Sequence, residues 1–463
     1  MKIWRTEKIP VEWQEAVIVP IHKKGDKLDC KNYRGISLLN TTYKILSKII
    51  LNRIEKYAAS IVGEHQAGFM AGRSTTDQIF VLKEIASKYW EYNKDLYILF
   101  VDFAKAYDSI SRKKMWKLME KHKIPKKLVN LTKMCTFKTI SKVKLENEYS
   151  DTFRINTGLR QGDALSPLLF NLVIEEALRE VSSVQGGAKI NGKTNVLAFA
   201  DDVALIAENK KDIKELAEKL ITETQKVGLK INEEKTKIMK ISRIPDNQPD
   251  LEVLNFKFTK TDNFKYLGVT ITSESRQDEE IQCRLAAAQR CYWSLTKLFK
   301  SRLLTRRTKI KMYKVIIQPV LLYGAEVWTL TKQNEKKLIV FENKILRRVF
   351  GPINDNGEWR IRKNQELREL YKDPDIIAMV KSRRLRWLGH VYRRDGNSMI
   401  KRVWMGQPEG RRPLGRPRLR WNDQVRQDLR RLGASLEGAE DRQQWRHIVG
   451  EAKNHLGFVW PQE

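Results

Sequence analysis

The stretch Val196-Leu-Ala-Phe-Ala-Asp-Asp-Val-Ala-Leu-Ile206 sets two adjacent carboxylates, Asp201 and Asp202, between apolar, β-prone segments. A second apolar run, Leu96-Tyr-Ile-Leu-Phe-Val101, ends on a lone aspartate, Asp102. Unpaired charge is strongly disfavoured in such surroundings unless something positive neutralises it. A divalent metal site is the natural resolution, since carboxylates can hold two Mg²⁺ ions about 3.5–4 Å apart and clamp both oxygens of an in-line phosphoryl displacement. The blander reading is an ordinary hairpin turn, because Asp tolerates turn conformations and bonds its own backbone. The pair alone favours the turn. Asp102, at the end of its own strand-like run, shifts the balance toward nucleotidyl transfer, with the turn as part of the site.

Composition agrees with that chemistry. The 463 residues are enough for two to four domains. Lys+Arg 88 against Asp+Glu 56 leaves a formal charge of +32, more than solubility requires, so a polyanion is the expected partner. A membrane surface and nucleic acid both qualify by charge. The most apolar segment, Val315 to Leu330, is broken by Gln318, Pro319 and Glu326 and reads as a buried helix and turn rather than a span. Residues Met1 to Lys8 are charged and lack the apolar core of a signal peptide, which leads us to expect an intracellular protein. Four scattered cysteines (30, 135, 283 and 291) make neither a disulfide framework nor a zinc module.

Helical periodicity runs from Thr41 to Ile54 and from about Asp212 to Val227, where Gly228 supplies a stop before a strand at Leu229–Asn232. Ser166 and Pro167 read as the N-cap and first residue of a helix apolar nearly all round, hence buried. Strands at 96–101, 196–199 and 203–206 with intervening helices predict an α+β domain. Beyond Glu279 the pattern turns helical on a basic background, so boundaries are expected near 275 and again near 352–358. Residues 381–431 carry 16 Lys+Arg and 4 Asp+Glu, a local charge of +12.

Six segments in order carry a resemblance: Val19-Pro-Ile-His-Lys-Lys-Gly-Asp26, Asn32-Tyr-Arg-Gly-Ile-Ser-Leu38, Phe100-Val-Asp-Phe-Ala-Lys-Ala-Tyr-Asp108, Gly158-Leu-Arg-Gln-Gly-Asp-Ala-Leu-Ser-Pro167, Phe199-Ala-Asp-Asp202 and Phe264-Lys-Tyr-Leu-Gly268. Together they resemble the reverse transcriptase of non-LTR (LINE-type) retrotransposons. The fold implied is the α+β polymerase right hand: fingers over 1–95, a palm with antiparallel sheet, packed helices and interleaved finger elements over 96–275, a helical thumb over 276–350, and a basic C-terminal nucleic-acid-binding region over 351–463.

The resemblance implies an RNA-directed DNA polymerase that extends a DNA 3′-hydroxyl on an RNA template, using deoxynucleoside triphosphates and two Mg²⁺ ions, for which Mn²⁺ can substitute. Asp102 and Asp201 match the ligands of both metals and Asp202 supports them. Tyr107 matches the aromatic steric gate beneath the incoming sugar, against the alternative of a packed core tyrosine. Gln161 and Gly162 match a template-positioning turn, in which glycine lets backbone approach closely. Lys24 and Arg34 match finger cations facing the triphosphate. Lys235 matches a residue able to protonate the leaving pyrophosphate, with Lys237 as a rival. Phe264 to Gly268 resembles a primer grip. Phe199 stands where the family more often has tyrosine.

Full-length elements of this kind carry an upstream endonuclease, which this sequence lacks room for; nicking supplied in trans, or a truncated chain, is expected. Nucleus or cytoplasm, as a ribonucleoprotein, is the expected location. Interleaved Arg and Trp in the tail suit phosphates and bases, and Gly415-Arg-Pro417 resembles a minor-groove hook. Two rivals use the same residues: a decayed copy that binds nucleic acid without catalysis, and a metal-dependent nuclease, which the register of Tyr107 and the Gln161-Gly162 turn disfavour.

Overall fold

The structure, a computed structural model, describes residues 2–244, 249–415, 418–455 and 457. Arg416 and Pro417 of the hook-like motif lie outside the described residues. The chain divides into two compact units. The first comprises residues 1–78, 95–240 and 246–261; the second comprises 79–94, 241–245 and 262–463.

In the first unit, the apolar run Leu96–Val101 is buried at all six positions and is an interior strand of a six-stranded sheet. A strand covered on both faces needs no polar alternation. The sheet order is Leu251–Val253, Phe256–Lys260, Lys237–Ile241, Leu96–Val101, Asp202–Ala207, Val196–Phe199. Antiparallel register pairs Val203 with Val101 and Asp202 with Phe199. Helices Ser166–Ser183 and Lys210–Lys226 supply much of the apolar core beside this sheet. A second sheet pairs Glu15–His22 with Tyr33–Leu38 antiparallel and with Thr139–Leu145 parallel.

Local details differ from the sequence reading for identifiable reasons. Helix Thr41–Ile61 runs a further turn and a half or more past Ile54, because Ala58 and Ile61 continue its buried face. Ser166 is inside its helix rather than capping it. Its N–H donates to the Asp163 carbonyl (3.2 Å), the Asp163 carboxylate accepts from the Leu165 N–H (3.1 Å) and from the Tyr43 hydroxyl, and the N-cap position, Leu165, makes no side-chain cap. The segment expected as a strand at 229–232 makes one bridge, Ile231 to Phe103, before the chain turns. That turn closes when the Thr236 N–H donates to the Asn232 carbonyl (3.0 Å).

The second unit is mostly helical. It starts, after 261, with the hairpin Asn263–Tyr266 and Val269–Thr272, so the division falls before the expected boundary near 275. The reason is buried Glu280, which accepts from the Thr270 N–H (2.6 Å) and from Arg284 Nε (2.7 Å) and ties the hairpin to helix Asp278–Ser294. Most of residues 352–358, read as a linker, belong to the hairpin Ile353–Asp355 with Glu358–Arg360. The three tail tryptophans, Trp387, Trp404 and Trp421, are buried. They pack the interior instead of offering rings for bases: Trp387 and Trp421 both meet Phe80 edge-on. No helix among the described residues is long and apolar enough to cross a membrane.

Candidate active site

Asp102 follows Val101 directly, and the pairing of Val101 with Val203 brings it opposite Asp202, at the same end of the sheet. Strands Val196–Phe199 and Asp202–Ala207 are joined by the two residues Ala200 and Asp201, with Ala200 at φ +56°. Two-residue hairpin loops favour positive φ because it matches the strand twist. All three carboxylates therefore share one rim.

Their electrostatics report the crowding. Burial, then the charges of Asp201 and Asp102, push the Asp202 carboxyl up to about 6. Asp201 is also raised, by burial and by Asp102, while its own backbone hydrogen bond and the cations Arg34 and Lys23 pull the other way. Oδ2 of Asp102 accepts no hydrogen bond and has the Lys235 ammonium at 3.5 Å. The Asp102 backbone is held on both sides: its N–H donates to Thr236 Oγ1 (3.2 Å) and its carbonyl accepts from the Asn232 N–H (2.8 Å). Lys237, the rival to Lys235, donates instead to Thr259 Oγ1 (2.5 Å).

Tyr107 stacks on Phe170 with centroids 4.8 Å apart and planes 18° apart. Burial and then the charge of Asp201 raise its phenol, with Arg34 opposing. The same tyrosine thus packs while the Asp201 charge acts on its phenol. The Gln161 carbonyl accepts from the Ser37 N–H (2.7 Å), and Gly162, at φ +121°, has Ser37 O only 2.5 Å from where a Cβ would stand. Only glycine fits that approach. Phe199 contacts Phe69 at 6.2 Å between ring centroids.

Lys24 is the expected residue that these contacts do not draw in. It lies in the exposed turn after Glu15–His22, and the cation whose field acts on Asp201 and Asp108 is its neighbour Lys23. Lys23 and Thr236 were missed in the sequence reading. Lys23 sits in the same quoted segment as Lys24, and a strand-end alternation would have been the signal separating them.

The donor set suits a hard cation. Oxygen ligands, a buried Asp102 oxygen without a hydrogen bond, and a carboxyl raised by burial and like charge are the conditions that a divalent ion relieves. Among the described residues no three His, Cys, Asp or Glu side chains close into a cage. Mg²⁺ does not need one, because it keeps waters and binds through one or two carboxylates plus substrate phosphates.

Three carboxylates thus meet at one end of a sheet, with the charges of Arg34 and Lys23 acting on Asp201. The family model described as reverse transcriptase (RNA-dependent DNA polymerase) matches residues 21–271, and the chain belongs to that family. Among curated relatives, it is 26% identical over 383 residues to "Probable RNA-directed DNA polymerase from transposon X-element" of Drosophila melanogaster, covering 80% of this chain and 40% of that one. With "RNA-directed DNA polymerase from mobile element jockey" of the same organism it shares 24% over 375 residues, 78% and 40% of the two chains. The chain thus spans about 40% of the length of these two relatives. A solved structure, telomerase from Candida tropicalis in complex with a fragment of telomeric RNA, aligns at TM-score 0.44 and 14% identity, covering 87% of this chain and 67% of that one.

Proposed function

We propose that this chain is the polymerase portion of a non-LTR retroelement protein, adding deoxynucleotides to a DNA 3′-hydroxyl on an RNA template. The observation that carries the reading is the register placing Asp102 opposite Asp202, beside Asp201, with the Asp202 carboxyl raised by burial and then by both neighbours. Mg²⁺, or Mn²⁺ in its stead, would be held by Asp102 and Asp201 with Asp202 in support, and would supply charge neutralisation at the reacting phosphate. Arg34 and Lys23, whose charges act on Asp201, would neutralise the triphosphate, with Lys24 adding positive charge beside them. Lys235, at 3.5 Å from Asp102, is placed to hand a proton to the departing pyrophosphate. The Tyr107 ring, immobilised on Phe170, would fill the space of a 2′-hydroxyl. The Gln161-Gly162 turn would bring backbone close to the template.

In this reading residues 1–95 supply fingers, 96–275 the palm, 276–350 the thumb and 351–463 further contacts to nucleic acid, within an intracellular ribonucleoprotein. An endonuclease acting in trans would generate the primer end. The test is primer extension by the purified chain on oligo(dT)-primed poly(rA) with dTTP and Mg²⁺. Template-dependent extension is expected. Tight binding of the primed RNA with no extension in Mg²⁺ or Mn²⁺ would establish the rival reading, a non-catalytic nucleic-acid-binding copy.

A further inference from the structure

The turn bearing Asp201 is held from inside by one side chain. Gln66 is fully buried; its Oε1 accepts from the Ala200 N–H (2.7 Å) and the Gly68 N–H (2.8 Å), and its Nε2 donates to the Ala200 carbonyl (3.3 Å). The amide thereby satisfies both backbone groups of Ala200, the residue in the left-handed region. That conformation is unfavourable for a residue with a Cβ and persists only where surroundings over-determine it.

The loop around Gln66 is built to make this contact. Residues 65–67 run along the outer edge of strand Val196–Phe199: the Ala198 N–H donates to the His65 carbonyl (2.7 Å) and the Ala67 N–H to the Ala198 carbonyl (2.8 Å). A Cβ on Gly68 would stand 2.3 Å from Ala200 N and 2.9 Å from the Phe199 carbonyl carbon, both backbone atoms that cannot swing away. The loop is anchored in turn to buried positions of helix Ser166–Ser183. Asn171 Nδ2 donates to the Gly68 carbonyl (2.6 Å), and the Glu175 carboxylate meets the Gly63 N–H and His65 Nε2, each at 3.1 Å.

We infer that Gln66, with Gly68 giving it access, is a positioning residue for nucleotidyl transfer: it clasps the Ala200-Asp201 turn in the conformation that keeps Asp201 beside Asp102. The inference rests on the reading of that rim as the polymerase site. Its link to chemistry is geometric, because displacement of a reacting constellation by about 1 Å costs on the order of 100-fold in rate.

The test compares Gln66→Met, which keeps length and loses every hydrogen bond, Gln66→Glu, which keeps the acceptor for both N–H groups, and Gly68→Ala. Two readouts are taken on the full chain: amide hydrogen exchange over residues 196–206, and single-turnover dTTP addition on primed poly(rA). Gln66→Met and Gly68→Ala are expected to speed exchange in that segment by roughly 10- to 100-fold, the size of a lost buried hydrogen bond. They should slow addition by a comparable factor while KM for dTTP and affinity for the primed RNA change less than about twofold. Gln66→Glu should return exchange to near the wild-type level. Wild-type exchange over 196–206 in Gln66→Met, or a wild-type addition rate per folded molecule in both Gln66→Met and Gly68→Ala, would overturn the inference. Failure of the underlying reading looks different: Asp201→Asn would then extend primers as the wild type does, whatever the exchange data show for the clasp.

Discussion

The carboxylate rim of the first unit and the arginine helix of the second handle charge in opposite ways. Asp102, Asp201 and Asp202 crowd one another, and the compensation they receive is an exposed lysine at 3.5 Å and the more distant fields of Arg34 and Lys23. Arg384, in helix Ile376–Tyr392, is 1% exposed and fully engaged: Nε donates to Asp428 Oδ2 (3.1 Å), and NH1 donates to the Trp328 carbonyl (3.2 Å) and to Gln424 Oε1. Gln424 closes the network onto Leu330, accepting its N–H at 2.9 Å. Charge that the fold completes internally is architecture. Charge it leaves uncompensated on a rim calls for a ligand, and a run of basic residues alone does not tell the two apart.

The sharpest break of that comparison exchanges one charge in each place. Asp201→Asn should cut Mg²⁺-dependent incorporation by on the order of 1000-fold, since several kcal/mol of transition-state stabilisation pass through that carboxylate, with thermal stability unchanged or raised. A variant that still extends primers in a steady-state assay contradicts the assignment. Arg384→Met should do the reverse: Asp428 is left buried without its partner, which costs about 3–5 kcal/mol in denaturant unfolding. Pairing it with Asp428→Leu should recover much of the loss, and no recovery would show that the network is not a closed unit.

Tyr107→Val tests the rim for specificity rather than power. Opening the space beneath the sugar should raise ribonucleotide use relative to deoxynucleotide use by roughly 10-fold or more, scored as the ratio of kcat/KM values. An unchanged ratio in an active variant returns Tyr107 to its packing role on Phe170.

The pH dependence follows from the direction of the carboxyl shift. Asp202 is raised from an ordinary 3.8 to about 6, so the folded state favours its protonated form; that stabilisation is complete below the unfolded value and lost as pH rises through about 6. Above that range the rim carries repelling charge that a cation relieves. Mg²⁺ should therefore raise Tm of the protein at about pH 8 and have little effect at about pH 5, where protons occupy the site. A Mg²⁺ shift independent of pH would uncouple Asp202 from cation binding.

The smallest effect concerns the basic segment 381–431. Much of its charge is used internally: Lys381 pairs with Glu335 (3.5 Å), Arg383 with Glu326 (3.6 Å), Arg412 with Glu91 (3.1 Å), and Arg420 also with Glu91. Lys401 and Arg393 hold backbone carbonyls. Arg386, Arg426, Arg430 and Arg431 are exposed. If all four touch phosphates, changing them to Gln should flatten the slope of log affinity against log salt by about 3 to 4. An unchanged slope would leave the segment as pure scaffold. Deleting it is the wrong probe, because Ser382 Oγ donates to the Val449 carbonyl (2.9 Å) and Trp421 is buried against Phe80.

Much of this was legible in the chain itself. The buried strand Leu96–Val101, a turn between strands 196–199 and 203–206, and the helix from Pro167 onward all follow from short-range pattern, because apolar period and turn chemistry are local properties. That Lys235 rather than Lys237 lies 3.5 Å from Asp102, and that Ser166 sits inside its helix instead of capping it, depends on which atoms come together after folding. The burial of the tail tryptophans depends likewise on helices distant in sequence. Most of all, tertiary structure decided that residues 102 and 202, a hundred positions apart, face each other, and that Gln66 holds the Ala200-Asp201 turn from inside. Sequence determines which groups are available and which local conformations they prefer. Strand register determines which of them share a rim, since a slip of one residue would turn every side chain to the opposite face.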